Sequence, residues 1–487
     1  MTKLSELNPQ PLWQFFEKIC SIPHPSYHEQ ALADWIMNWA KEKGLEAKRD
    51  ETGNIFLRKA ATKGMENRKP TILQAHLDMV PQANSDTQHD FTKDPIEAYV
   101  DGEWVKAKGT TLGSDNGIGL ASILAVLDAE HIAHGPLEAL LTMTEEAGMD
   151  GAFGLKPGWL NGEILINTDS ETEGEIYMGC AGGGDTHVKF AIEYQDAPKG
   201  QAVIISLKGL KGGHSGADIH TGRANANKLL ARLLSELAKQ SEYALESFNG
   251  GNLRNAIPRE AHCTIVLGED KLSELEQFID TFQATLDSEL GAIETNLTIA
   301  VETTEAVQKV FAPAFATRFI QALNASPNGV ISMSHEIKGV VETSLNMGVV
   351  ETTDNGLIKV NFLVRSLVDS HRHYVEDILA SLFNLAGAEI YSDGGYPGWK
   401  PDANSPIMKV VRDVYSNLYG ELPNIMVIHA GLECGLFKTA YPHWDMVSFG
   451  PTIQFPHSPD EQVEIVTVEK YWQLLLATLK NIPQKGE

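Results

Sequence analysis

Cysteine is scarce in this 487-residue sequence: Cys20, Cys180, Cys263 and Cys434 are the only four, far apart and without a Cys-x-x-Cys pair. That usage argues against a disulfide framework and suits reduced thiols, so the expected compartment is the cytoplasm. No apolar run approaches the roughly 18 residues of a membrane-spanning helix. Residues 1–13 lack the basic stretch and apolar core of a secretory signal. Positive charge is also short: 39 Lys and Arg face 65 Asp and Glu, a formal net charge of −26. Phosphate backbones and anionic lipid surfaces would be repelled, so no nucleic acid and no membrane is expected as a partner. Such acidity does fit a site that gathers carboxylates around cations. With 43% hydrophobic and 21% charged residues, and average glycine and proline, disordered and collagen-like classes are excluded.

The length predicts two or three domains. A first helix is expected over 27–43, where Leu32, Trp35, Ile36 and Trp39 recur at helical spacing. Ser26 and Glu29 have the spacing of a capping box, and Gly44 is placed to end the helix. Strands are expected at 71–75, 137–143 and 163–167, with a helix at 118–127. This alternation predicts a mostly parallel, layered α/β sheet. Two glycine-rich stretches, 179–184 and 394–398, read as punctuation. Between them, strands at 203–208 and 357–364 are separated by amphipathic helices, one carrying Leu230, Leu233 and Leu237, another Leu275, Phe278 and Phe282. The reading is a domain made of 1–182 and 399–487, split by an inserted domain at 183–398. After the insertion come a helix capped by Ser405 with Pro406 at its first position, a strand at 424–428 and a helix over 468–482.

Four segments of the first domain end in side chains that bind metals. They are His76-Leu77-Asp78, Asp115 in Gly113-Ser114-Asp115-Asn116-Gly117, Thr144-Glu145-Glu146 and Asn167-Thr168-Asp169. Alone, each has a plain alternative: a local hydrogen bond, a helix cap, a solvated turn, a turn starter. Their recurrence at successive strand ends, where α/β sheets build their sites, points to a metal centre. Crowded carboxylates cannot all stay ionised without cations. Two divalent ions roughly 3.5–4 Å apart would relieve them. Imidazole with carboxylate suits zinc, with manganese or cobalt as alternatives. One carboxylate must bridge the ions, and a free glutamate should move protons, which the pair Glu145-Glu146 supplies. A second histidine must come from elsewhere, and His457, in Phe455-Pro456-His457-Ser458, is the candidate.

The ordered set His76-x-Asp78, Asp115, Glu145-Glu146, Asp169 and His457 resembles the co-catalytic zinc peptidase family that includes glutamate carboxypeptidase, aminoacylase and carnosinase. Stretches 22–26, 73–80, 109–119, 142–151, 208–216, 254–259 and 429–435 carry the likeness further and resemble the family's dipeptidases, so it covers nearly the whole chain. The resemblance implies a mixed-sheet α/β/α di-metal catalytic domain with an inserted α+β lid and dimerisation domain. It makes Asp115 the bridging ligand, with His76 and Asp169 on one ion and Glu146 and His457 on the other. Glu145 would be the general base, and Asp78 would orient His76. A cis peptide is implied after the bridging residue, at Asp115-Asn116.

In the inserted domain the resemblance makes His214 a lid histidine that reaches a partner's site and stabilises an oxyanion. It makes Arg365 and Asn255 contacts for the substrate's carboxyl end, and Glu433 the acceptor of its free amine. Each again has a plain alternative, from a solvated turn for His214 to a buried structural role for Glu433. The implied activity is metal-dependent hydrolysis of dipeptides with a free amino end, including Xaa-His and β-alanyl-histidine, by a homodimer joined through its lids. The alternatives are an aminoacylase or deacetylase acting on blocked amines, and a non-catalytic binding protein on the same scaffold.

Overall fold

The computed structural model describes residues 3–486. Contacts divide the chain into two compact units. One holds the segment up to Cys180, Trp399–Val427 and everything from Leu432 on; the other holds Ala181–Gly398 and Ile428–Gly431. The brief return at Ile428–Gly431 carries no sequence signal of its own.

The first unit is built on an eight-stranded mixed sheet. At its centre Thr71–His76 runs parallel to Leu137–Thr142 on one side and to Ile164–Asn167 on the other. Asp445–Ser448 continues the parallel set beside Ile164–Asn167. Every residue of Thr71–His76 and Leu137–Thr142 is buried, as expected of strands covered on both faces. The helix Ser114–Asp128 is buried almost all round, through Ile118, Leu120, Ile123 and Leu124 among others. This arrangement brings the carboxyl ends of neighbouring parallel strands to one edge, so His76, the segment 143–146 and Asp169 emerge side by side.

The helix expected over 27–43 spans Gln30–Glu42, and the capping box does not form: Glu29 stands at the N-cap without a side-chain cap bond. The Ser26 hydroxyl donates instead to Asp78 (2.7 Å), and the Glu29 carboxylate accepts from the Thr144 backbone N–H (2.9 Å) and hydroxyl (2.8 Å). The reason is burial. Glu29 is enclosed, and the loop at Thr144 brings donors that need an acceptor, so the long-range bonds displace the local cap.

The second unit is a nine-stranded antiparallel sheet with Ala226–Leu237, Leu272–Leu290, Pro313–Ala325 and Asp369–Leu385 among its helices. Its core is rich in phenylalanine; Phe190 meets Phe319 edge-on at 5.5 Å, and Phe248 meets Phe319 at 5.8 Å. The glycine-rich stretches are not loops. They lie largely in the paired strands Gly182–Ala191 and Glu389–Tyr396. A Cβ on Gly182 would come within 2.5 Å of the Tyr396 carbonyl, so glycine serves close approach rather than a turn. All four cysteines are buried and none is in a disulfide. Among the described residues no helix is long and apolar enough to cross a membrane.

Candidate functional site

Five side chains of the first unit form a chain of contacts centred on Asp115. His76, the last residue of its strand, places Nε2 at 3.2 Å from Asp115 Oδ1 and 3.3 Å from Asp169 Oδ1. The other oxygen of Asp115 is 3.3 Å from Nε2 of His457, which in turn is 3.0 Å from Glu146 Oε2. Asp115 thus turns one oxygen to each of two histidine–carboxylate pairs. Donor atoms of His76, Asp115 and Asp169, and those of Asp115, Glu146 and His457, lie within 4.8 Å of one another. Bonds of about 2.0–2.1 Å in a tetrahedron give ligand-to-ligand edges of about 3.3 Å, which is the spacing seen here. Glu146 Oε1 is buried without a partner, a second sign that this donor set fits cations.

Electrostatics agree. Burial, then the neighbouring acids, pushes the Glu145 carboxyl well above the ordinary range. Burial also lifts Glu146 to about 7 and Asp169 to about 6, against the pull of the histidines. Asp115 goes the other way: burial opposes ionisation, but the bonds from His457 and His76 hold its carboxyl far below the usual range. Glu171, which the sequence reading did not single out, faces Asp115 and is raised to about 9, chiefly by burial. Crowded acids that resist joint ionisation are what bound cations would stabilise.

Buried carboxylates fix the loops. Asp78 lies 3.3 Å from His76 Nδ1 and accepts the backbone N–H groups of Glu145 (2.8 Å) and Glu146 (3.1 Å). Glu461 accepts from the N–H groups of Leu112 (2.8 Å), Gly113 (3.1 Å) and Ser114 (2.8 Å) and from the Ser114 hydroxyl (2.6 Å). Because Glu461 shares a loop with His457, one carboxylate ties that loop to the one carrying Asp115. The Asp115–Asn116 peptide is cis, and Asn116 donates its side-chain amide to Asp169. Ser26, Glu29 and Glu461 all escaped the sequence reading as parts of the site. Their partners are distant in sequence, and the Ser26–Glu29 spacing mimicked a local cap.

Glu433 is fully enclosed. Its Oε2 accepts from Gln74 (2.7 Å) and Thr142 (2.8 Å), while Oε1 has no partner; burial raises its carboxyl to about 8.

The remaining sequence candidates belong to the second unit. His214 Nδ1 accepts from the N–H groups of Gly216 (3.2 Å) and Ala217 (3.0 Å), which leaves the ring proton on Nε2. Burial and then the Arg365 cation lower its pKa, so the ring is neutral. Arg365 is buried, with Nη1 at 3.1 Å from Tyr396 Oη and Nη2 at 3.4 Å from His214 Nε2. Asn255 accepts from Ser215 N–H through its backbone carbonyl (2.9 Å), and the residue is exposed.

Comparison with known proteins gives concordant relatives. Residues 205–294 match the model of a peptidase dimerisation domain. The cytosol non-specific dipeptidase of Escherichia coli is 59% identical over 486 residues, covering all of both chains. The crystal structure of aminoacylhistidine dipeptidase from Vibrio alginolyticus superposes with a TM-score of 0.95 at 58% identity, over 100% of this chain and 99% of that one. A tripeptidase from Staphylococcus aureus shares the fold at a TM-score of 0.57 and 16% identity, over 98% and 99% of the two chains.

Proposed function

Because this chain belongs to the M20 metallopeptidases, in the branch of the cytosol non-specific dipeptidases, we propose that it hydrolyses dipeptides carrying a free amino end, aminoacyl-histidines and β-alanyl-histidine among them, with two divalent cations per chain. The observation that carries this reading is Asp115, one oxygen toward His76 and Asp169 and the other toward His457 and Glu146. His76, Asp115 and Asp169 would hold one cation; Asp115, Glu146 and His457 the other. Nitrogen and carboxylate donors favour zinc, with manganese or cobalt as substitutes. When bound, the ions supply Lewis-acid chemistry, stabilising charge on a peptide carbonyl oxygen and making a water more acidic.

The chain's own residues do the rest. Glu145 takes no part in the four contacts that join the five side chains around Asp115, and burial raises its carboxyl above the ordinary range, which makes it a stronger base once ionised. It would accept a proton from the attacking water and pass it to the departing amine. His214, neutral and with its proton on Nε2, would donate to the oxyanion. The Arg365 guanidinium would hold the substrate's carboxylate, with Asn255 beside that end. The free Oε1 of Glu433 would accept the substrate ammonium, which sets the preference for a free amine over an acyl cap. Reading both ends limits substrates to about two residues. The protein would act as a homodimer through its second unit, consistent with the match to a peptidase dimerisation domain, in the cytosol.

The test is hydrolysis of β-alanyl-histidine, alanyl-histidine and their N-acetyl forms, before chelation, after it, and after zinc or manganese is returned. Free-amine dipeptides should be cleaved only with cations present. Full activity in chelated protein shown metal-free by direct analysis would refute the proposal, and equal rates on acetylated substrates would refute the ammonium site.

A further inference from the structure

Among the buried polar atoms of the second unit without a partner are Nε of Arg365 and Nδ1 of His429. The sheet relates them. Ser344 stands opposite Arg365 where Val341–Thr352 pairs with Leu357–Ser366. Arg365 stands opposite Gly183, and Gly183 opposite Tyr396. Residues directly opposite in an antiparallel ladder project from the same face. Ser344, Arg365 and Tyr396 therefore form one row, with glycine in the third place. A Cβ on Gly183 would lie 2.7 Å from Tyr396 Oη, so glycine there clears the path for the Tyr396–Arg365 bond. At the other end the Ser344 hydroxyl lies 2.7 Å from His429 Nε2.

The polarity of this row is one-sided. His214 Nε2 and Arg365 Nη2, 3.4 Å apart, are both donors. Burial first, and the Arg365 cation second, push the His429 pKa down to about 3; the Val341 carbonyl pulls the other way and loses. The ring is neutral. A Ser344 hydroxyl donating to Nε2 leaves the proton on Nδ1, the atom without a partner. Tyr396 Oη and the Val341 carbonyl are the acceptors near them, yet Arg365 Nε and His429 Nδ1 stay unpaired, and such buried donors around a guanidinium make a place for an anionic oxygen.

We propose that His429 is a substrate-binding residue whose Nδ1–H, beside the Arg365 guanidinium, holds the terminal carboxylate of the dipeptide. This rests on the carboxylate reading of Arg365 given above. It adds a reason for strictness: an amide N–H, whether of a blocked end or of a third residue, would meet a fixed donor instead of an acceptor.

The experiment uses cation-loaded Glu145→Ala protein, in which turnover is slowed roughly 10²–10⁴-fold, titrated calorimetrically with alanyl-histidine and with its C-terminal amide. His429→Ala should weaken binding of the free acid about 10- to 100-fold, the range for a hydrogen bond to a charged group, and change the amide little. Ser344→Ala should act in the same direction, and His429→Asn, which retains a donor, should recover part of the loss. Should His429→Ala fail to fold, these two carry the test. Equal weakening of acid and amide would make His429 merely structural; no weakening of either would assign Nδ1–H to the Val341 carbonyl. Arg365→Lys in parallel separates the two readings. If the parent protein binds acid and amide alike, the carboxylate reading of Arg365 falls and this one with it. If only Arg365→Lys erases the preference, the assignment of His429 alone is overturned.

Discussion

His214 and Arg365 present two donors to each other, Nε2 to Nη2, at 3.4 Å within one chain. Two N–H groups cannot bond to each other, so the pair is a gap between donors, which on the proposed reading an anionic oxygen would complete. On the reading proposed above, residues this close would serve the same centre, whichever protomer owns it.

A subunit-exchange experiment follows. Glu145→Ala protein is mixed with His214→Ala protein, and separately with Arg365→Ala protein, exchange being verified by mass. If the second unit serves its partner, each mixed dimer has one whole site, and both mixtures should recover about a quarter of parental activity. Recovery in one mixture but not the other would break the pairing; recovery in neither would place both residues at their own chain's centre.

Glu145→Ala should lower turnover by roughly 10²–10⁴-fold, the usual worth of general acid–base catalysis. Cation content should stay near two per chain by direct metal analysis. Loss of one cation would mean that the roles of Glu145 and Glu146 are exchanged.

Glu461→Ala leaves three backbone N–H groups and a hydroxyl without their acceptor. Unsatisfied buried donors cost about 1–3 kcal/mol each at most, so the unfolding midpoint should drop by several degrees. Cation affinity should fall too, since the loops of Asp115 and His457 are no longer tied. Glu461→Gln keeps one acceptor oxygen and should lie between. Unchanged occupancy at limiting zinc would show that the loops hold without this tie.

His429 adds a pH dependence to stability. Its pKa is about 3 in the folded chain, where burial and the Arg365, His214 and His220 cations or rings oppose protonation, and near 6.5 when unfolded. Between those values the unfolded chain binds the extra proton, so stability falls as pH drops below about 6.5, by up to about 1.4 kcal/mol per unit. His429→Gln should flatten this part of the profile relative to the parent between pH 6.5 and 4.5, read by denaturant unfolding. Parallel profiles would show that the ring is not the buried neutral group described.

The side chains that gather around Asp115 were legible because each closes or follows a strand, and parallel strands deliver their ends to one edge. The dipeptidase branch was legible in longer stretches, and the relatives agree with it. Ser26 and Glu29 misled because a local signature served distant partners, Asp78 and Thr144. The glycine runs, read as punctuation, lie largely in paired strands, where close packing asks for the same residue as a turn does. The role proposed for His429 could not be read, although the residue opens one of the stretches that carry the resemblance. Its meaning lies in the register that sets Ser344 opposite Arg365, and register between distant strands leaves no mark in a single sequence.

The tie made by Glu461 also orders events during synthesis. His76, Asp115, Glu146 and Asp169 are all translated before the second unit begins, whereas His457 and Glu461 come after it, near the end of the 487 residues. A nascent chain can therefore fold its early strands and the whole second unit while one proposed cation site would still lack its histidine and the Asp115 loop its anchor. Chains broken off before residue 457 would carry most of the ligands and none of the closure. On the proposed ligand set, hydrolytic competence would therefore wait for the segment carrying His457 and Glu461, which is translated only after the second unit.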